Sequence, residues 1–201
     1  MIGIFVIRKM NKHKILLFSV GVIFHFISIS VWAQLKPVAY QNPDHYRDTM
    51  PIPKKFDDLL FYVQRSNDRN TAVYEVNFNE EGEIVHDEPI LVWWVKYESD
   101  TSASTLSYLQ RKLTYGVEWE NIIGGYKLKF AAFKKRNAYL RQDLQSGNYY
   151  VYTTINKKPA ILHKIFVEVK GGSFLIPKIG MVDFYGSDPK TGKPVHERFD
   201  Y

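Results

Sequence analysis

The chain has 201 residues and no cysteine, which excludes disulfides, thiolate nucleophiles, Cys-ligated zinc and iron–sulfur clusters. Its 27 Lys and Arg against 21 Asp and Glu give a formal charge of +6. Four of those basic residues (Arg8, Lys9, Lys12 and Lys14) stand in an N-terminal segment that reads as removable, so the remaining 23 against 21 gives no support for a nucleic-acid partner.

That N-terminal segment is a basic stretch followed by an uncharged apolar run from Ile15 to Trp32, closing on Val31-Trp32-Ala33 before Gln34. Small residues three before and one before the cut suit signal peptidase, so residues 1–33 are expected to be a cleavable secretory signal. Met10 onward is already a complete signal and is an alternative start. The competing reading is an uncleaved anchor, since the run is about long enough to span a bilayer. His25 and the neighbouring serines weaken a permanent span. The expectation is export to the periplasm or the extracellular space, with no membrane span after cleavage.

Residues 34–56 hold Pro37, Pro43, Pro51 and Pro53 and read as an extended Pro-rich lead-in lying on a single β-rich domain, 57–201. Leu59 to Arg65 is the first expected strand, followed by a turn over Ser66–Asn70. In Ala72 to Phe78, Tyr74, Val76 and Phe78 share one face, the alternation of a half-buried strand. Ile90 to Tyr97 is apolar on both faces and reads as a central strand. A helix is expected over 102–115, with Leu106, Leu109 and Leu113 as its apolar stripe. Ser102 or Ser104 would cap it, and Gly116 would close it in the left-handed conformation.

Strands resume at Tyr126–Phe133, Ala138–Gln142, Asn148–Ile155, Ala160–Val169 and Ile179–Gly186. The fold class is therefore mainly β with a minor α component: an antiparallel β-sandwich or barrel-like domain with one amphipathic helix.

In order, Leu60-Phe61-Tyr62-Val63-Gln64-Arg65-Ser66, Trp93-Trp94, Leu106…Tyr115-Gly116, Ala160-Ile161-Leu162-His163-Lys164-Ile165, Tyr185-Gly186 and Thr191-Gly192 give a pattern that resembles the exported bacterial family known as domain of unknown function 4833. The resemblance covers about residues 57–200. It implies a domain boundary and export, and no reaction.

No catalytic set stands out. Gly186 to Lys193 has five residues between its glycines, and Pro194 stands where a phosphate loop needs Ser or Thr, so it reads as a turn. His45, His86, His163 and His196 show no metal-ligand spacing, and His86-Asp87-Glu88 are consecutive, so no metal and no cofactor is expected. His163 reads as a hydrogen-bonded, half-core histidine. Glu118 and Glu120 share a strand face, which suits a solvated edge as well as paired-carboxylate chemistry. Lys134-Lys135-Arg136 reads as a solvated turn.

The aromatic residues are the strongest remaining signal, either as core or as a binding face. Trp93 and Trp94 are adjacent in one strand and must point to opposite faces. Arg65 ends an apolar strand, where its guanidinium can stack on an indole. The candidate ligand-binding residues are Gln64, Arg65, Trp93, Trp94 and Tyr115. Three functions follow: a non-enzymatic interaction module of the cell envelope, a barrel-type small-ligand binder with an aromatic-lined pocket, or a hydrolase of unrecognised class. The partner would be an envelope protein, a glycan or a small ligand.

Overall fold

The computed structural model describes residues 50–97, 101–134, 136–172 and 177–201. The expected signal and the lead-in up to residue 49 lie outside these residues. The described chain forms β1 (Leu59–Arg65), β2 (Asp68–Val76), β3 (Ile90–Val95) and β4 (Ala103–Thr105), then a short helix α1 (Tyr108–Gln110) that continues as a π-helical turn, Arg111–Tyr115. After it come β5 (Val117–Ile122), β6 (Gly125–Phe130), β7 (Ala138–Gln142), β8 (Tyr149–Ile155), β9 (Lys158–Gly172), β10 (Pro177–Ser187) and β11 (Pro194–Asp200). Among the described residues no helix is long and apolar enough to cross a membrane.

The 15-residue β9 organises the sheet. Antiparallel β10 runs along one of its edges, from Ile161 to Gly172, and β11 pairs with β10. The other edge is shared: β8 pairs antiparallel with Lys158–Ile161, and β1 pairs parallel with Lys164–Val167. Two four-stranded arms, β1-β2-β3-β4 and β8-β7-β6-β5, therefore leave the same strand. They curl toward each other into a half-barrel with the core between them. The sheet is mixed because of the single parallel pair among the described residues, and that pair joins residues 102 positions apart, such as Tyr62 and Lys164, beyond the reach of a local alternation pattern.

The arms meet through aromatic side chains. Phe61 stacks on Tyr74 with centroids 4.1 Å apart, and Phe130 of the opposite arm meets Phe61 edge-on at 5.5 Å. Such pairs add about 0.5–1.5 kcal/mol beyond the area they bury. The Tyr74 hydroxyl donates to the Tyr115 carbonyl at 2.7 Å. Tyr126, Leu128 and Phe130 are buried as their alternation with Lys127 and Lys129 predicts.

A β-bulge in β9 changes which residues face inward. Tyr185 pairs with Lys164 but Gly186 pairs with Leu162, which leaves His163 as the extra residue. Leu162 and Ile165 both enter the core as a result, and His163 does not share a face with Ile165. Gly186 is required at this point, since a Cβ there would stand 2.2 Å from the Ile161 carbonyl oxygen. The β8–β9 turn has Asn156 and Lys157 at φ 49° and 61°, the pair of left-handed residues that a tight hairpin with the sheet's own twist requires.

The helix departs from its expected span. Ala103–Thr105 instead adds a strand to the edge of β3, with Thr105 opposite Trp93. The helix starts after Ser107, whose hydroxyl accepts from the Gln110 N–H while the Gln110 side chain accepts from the Ser107 N–H, a capping box. Leu106 is buried, but Leu109 and Leu113 stay 46% and 47% exposed. Gly116 is extended, at φ −65°, and not left-handed. The π winding brings the Arg111 carbonyl so close that a Cβ on Gly116 would lie 1.9 Å from its oxygen. Close approach therefore accounts for the glycine.

Candidate functional site

Side chains on the concave face of β1, β2 and β3 point between the arms. Phe61, Val63 and Arg65 come from β1, Ala72 and Tyr74 from β2, and Trp94 from β3, set by the pairs Val63–Ala72 and Ala72–Trp94. The π turn brings Tyr115 in above them, its ring centroid 5.2 Å from that of Trp94. Between these elements lies a cavity of about 200 Å³ whose wall includes Phe61, Tyr74, Phe130, Ile165 and Val182. Exposed Ala132 and half-exposed Leu113 mark its mouth.

Arg65 is the one cationic side chain among the described residues lining this cavity. It is 9% exposed. Its guanidinium carbon lies 5.7 Å from the Trp94 ring and 5.5 Å from the Tyr115 ring. Nη2 donates to Asp68 Oδ2 at 3.0 Å, while Nε is buried with no hydrogen-bond partner. Most buried polar atoms are paired, so an orphan N–H on a cation in an apolar wall is unusual. Burial pushes the Tyr115 hydroxyl well above the usual tyrosine range, against the opposing pull of Arg65. Burial, with a smaller push from Tyr115, does the same to Tyr74. Both phenols stay neutral, and the wall carries no anion of their making.

Three of the five candidate residues are thus brought together: Arg65, Trp94 and Tyr115. Gln64 and Trp93 project from the opposite face. Gln64 is 1% exposed, and its Nε2 donates to the Pro51 carbonyl at 2.6 Å and to Thr71 Oγ1 at 3.2 Å. It fastens the end of the lead-in to the sheet. The Trp93 indole N–H leans on Glu75 without forming a well-aligned hydrogen bond. Burial raises the Glu75 carboxyl, and the indole partly offsets that.

Sequence reasoning missed a second set of residues on the convex face. Asp183 is fully buried, and its Oδ1 accepts from His196 Nε2 at 2.7 Å and from Arg198 Nε at 2.9 Å. Lys164, 4% exposed, lies 5.6–5.9 Å from the rings of Tyr62, Phe166 and Tyr185. A lone acid inside the apolar run Met181–Tyr185 is the signal that could have found this network, because a charge there must be paired to be buried. Its partners sit on β11, a strand whose charged alternation hid it. The carboxylate is already occupied by donors, which fits a structural tie between β10 and β11.

Several other motifs resolve into ordinary structure. Glu118 and Glu120 pair across the sheet with Lys129 and Lys127 and are exposed. In the turn after β10, Asp188 accepts from the Lys190 and Thr191 N–H groups, which lowers its carboxyl pKa. His86 Nδ1 lies 2.6 Å from the Tyr126 hydroxyl, beside a more open cleft of about 510 Å³ at the hairpin tips. Arg136 is not solvated as the basic cluster suggested. Its guanidinium covers the Phe184 ring at 3.9 Å, pairs with Glu197 at 2.9 Å and donates to the Thr154 carbonyl.

No curated protein and no solved structure matches the chain. The family described as Domain of unknown function (DUF4833) matches residues 61–198, which takes in every strand of the half-barrel in whole or in part. The chain belongs to the DUF4833 family.

Proposed function

We propose that this protein is an exported small-ligand binder that holds an apolar molecule between the arms of its half-barrel, by binding and not by catalysis. The observation that carries this is a hollow of about 200 Å³ between the arms, whose wall includes Phe61, Tyr74, Phe130, Ile165 and Val182. Protein interiors are close-packed, with few voids larger than a water molecule. The hollow opens at Ala132 and Leu113, and a ligand that fills it withdraws its apolar wall from water. An apolar cavity of about 150 Å³ is already large enough to take up benzene. The reading as an envelope interaction module draws support from Ile123 and Leu144, 99% and 96% exposed near the open cleft at the hairpin tips.

The test uses the exported protein, whose N-terminus should begin at or within a few residues of Gln34. The fluorescence of 1-aminoanthracene, a neutral apolar probe, should rise on addition of the protein. Ala132→Phe, at the mouth of the cavity, should block that rise while leaving the fold intact. Absence of any rise with the wild-type protein, or an equal rise with Ala132→Phe, would end the cavity reading.

A further inference from the structure

We infer that the mouth of the half-barrel cavity is a docking surface for an anionic lipid bilayer. The inference rests on the cavity reading above and names the surface that its mouth faces.

Exposed apolar side chains collect around that mouth. Tyr108, Leu109 and Leu113 are 71%, 46% and 47% exposed, and all three stand on α1 and the π turn that continues it. Leu113 lines the cavity, and Leu109, four residues before it, is its neighbour on the surface of the helical segment. Exposed Ala132 and the exposed ring of Tyr201 line the same cavity. Apolar groups gathered in this way at an opening mark a place where a partner removes them from water.

Charge selects the partner. Residues 102–116 and 130–137, which supply Leu113 and Ala132, hold no Asp or Glu and carry Arg111, Lys112 and Lys134. All three of these side chains are exposed. Lys112 Nζ reaches the Tyr108 hydroxyl at 3.3 Å, and neither Lys112 nor Lys134 has an acid partner among the described residues. Arg111 meets Glu88 only at 3.8 Å, with both side chains about half exposed, so water screens that pair. The nearby charges on β9, β10 and β11 point elsewhere. Glu168, Lys170 and Lys178 alternate with the cavity-lining Val167, Val169, Pro177 and Ile179 and project to the convex face. Asp200, between core-packed Phe199 and cavity-lining Tyr201, does the same. What remains at the mouth is an apolar lip with three cations beside it. Aliphatic side chains enter the interface of a bilayer, while basic side chains lay their stems along the apolar surface and hold their charge among anionic headgroups.

The opposite end of the half-barrel has the opposite sign. β6 joins the two ends: Gly125 lines the open cleft and Phe130 the cavity, roughly 17 Å apart at the rise of an antiparallel strand. Exposed Ile123 and Leu144 stand at the cleft, but the β2–β3 loop, which supplies Ile84 to the same cleft, carries exposed Glu80, Glu81, Glu83 and Asp87 and no Lys or Arg. An anionic surface repels that end and attracts the mouth.

The experiment is co-sedimentation of the exported protein with lipid vesicles, beside 1-aminoanthracene binding measured without vesicles. The wild type should pellet with vesicles of equal parts phosphatidylcholine and phosphatidylglycerol and stay in solution with phosphatidylcholine alone. Raising the salt to about 1 M, where the Debye length is about 3 Å, should release it. Lys112→Glu should weaken pelleting at least about tenfold, since each basic side chain near an anionic surface is worth roughly fivefold in affinity. Leu109→Asp should also weaken it, yet leave 1-aminoanthracene binding unchanged, because Leu109 does not line the cavity. Ile123→Asp, at the other end, should pellet as the wild type does. A wild type that binds 1-aminoanthracene but not the anionic vesicles overturns the inference and leaves the cavity reading standing. Equal pelleting with phosphatidylcholine alone overturns it, as does wild-type pelleting by both Lys112→Glu and Leu109→Asp. Loss of pelleting in folded Ile123→Asp moves the contact to the wrong end and overturns it too. Pelleting of the wild type without 1-aminoanthracene binding supports the docking surface and removes the cavity reading.

Discussion

His163 should make the protein sensitive to mild acid. It sits at the β9 bulge with Nε2 2.8 Å from Ser187 Oγ, and burial pushes its pKa down from 6.5 to about 4. A depressed pKa on a base means that the unfolded chain binds the proton first. The native state therefore keeps its full stability above pH 6.5 and loses it progressively as the pH falls toward 4. At 1.36 kcal/mol per pH unit the full loss is about 3 kcal/mol, a large part of the 5–15 kcal/mol typical of a folded domain. The perturbation is His163→Gln, which keeps a hydrogen-bonding group near Ser187 and cannot titrate. Urea unfolding of both proteins from pH 8 to pH 4 gives the stability difference by linear extrapolation. Relative to the variant, the wild type should lose about 3 kcal/mol between pH 7 and pH 4. Other groups are common to both proteins and cancel. Glu75, raised by burial, works in the opposite direction, and the lowered carboxyls of Asp143 and Asp188 lose their contribution only below about 3.8. Parallel curves for the two proteins would refute the buried neutral histidine.

Two further substitutions probe the fold. Trp94→Ala removes a 9%-exposed indole packed on Tyr115 and Arg65 and should cost about 3–5 kcal/mol. Trp93→Ala removes a less buried indole from the other face and should cost clearly less by the same urea titration. Equal costs would place both indoles in one core. Gly186→Ala should lower the melting temperature by several degrees, since its Cβ would meet the Ile161 carbonyl oxygen at 2.2 Å and the Ile155 side chain at 2.8 Å. An unchanged melting temperature would mean that the bulge in β9 relaxes to make room.

Most of the strands were legible in the chain because alternation reports which face of a half-buried strand is covered. Tyr126-Lys127-Leu128-Lys129-Phe130 is the clearest case, and its burial follows the pattern residue by residue. Where alternation is silent, the reading stopped. Pro194–Asp200 carries His196, Glu197 and Arg198 and looks like a polar tail until Asp183 on the neighbouring strand is seen to bind two of them. Residues 102–107 read as helix because the leucine spacing fits one, yet the open edge of β3 offered Ala103–Thr105 hydrogen bonds. The capping box at Ser107 then set the helix start. Local propensity is a weak prior when an unpaired sheet edge is adjacent.

The candidate site divides in the same way. Trp93 and Trp94 were bound to point apart by the strand period alone, and an arginine ending an apolar strand was odd on its face. The sequence could not decide which indole Arg65 would meet. That depended on the pairing Val63–Ala72–Trp94, which puts Arg65 and Trp94 on the concave face and leaves Gln64 and Trp93 on the convex one. Tyr115 joins them only because five residues wind as a π turn, and the cavity exists only because β1 and β8 share one edge of β9. Composition and periodicity determined a cysteine-free β domain. Only long-range strand pairing decided that its two arms enclose a space, because the closing contacts join residues far apart in sequence and no local pattern encodes them.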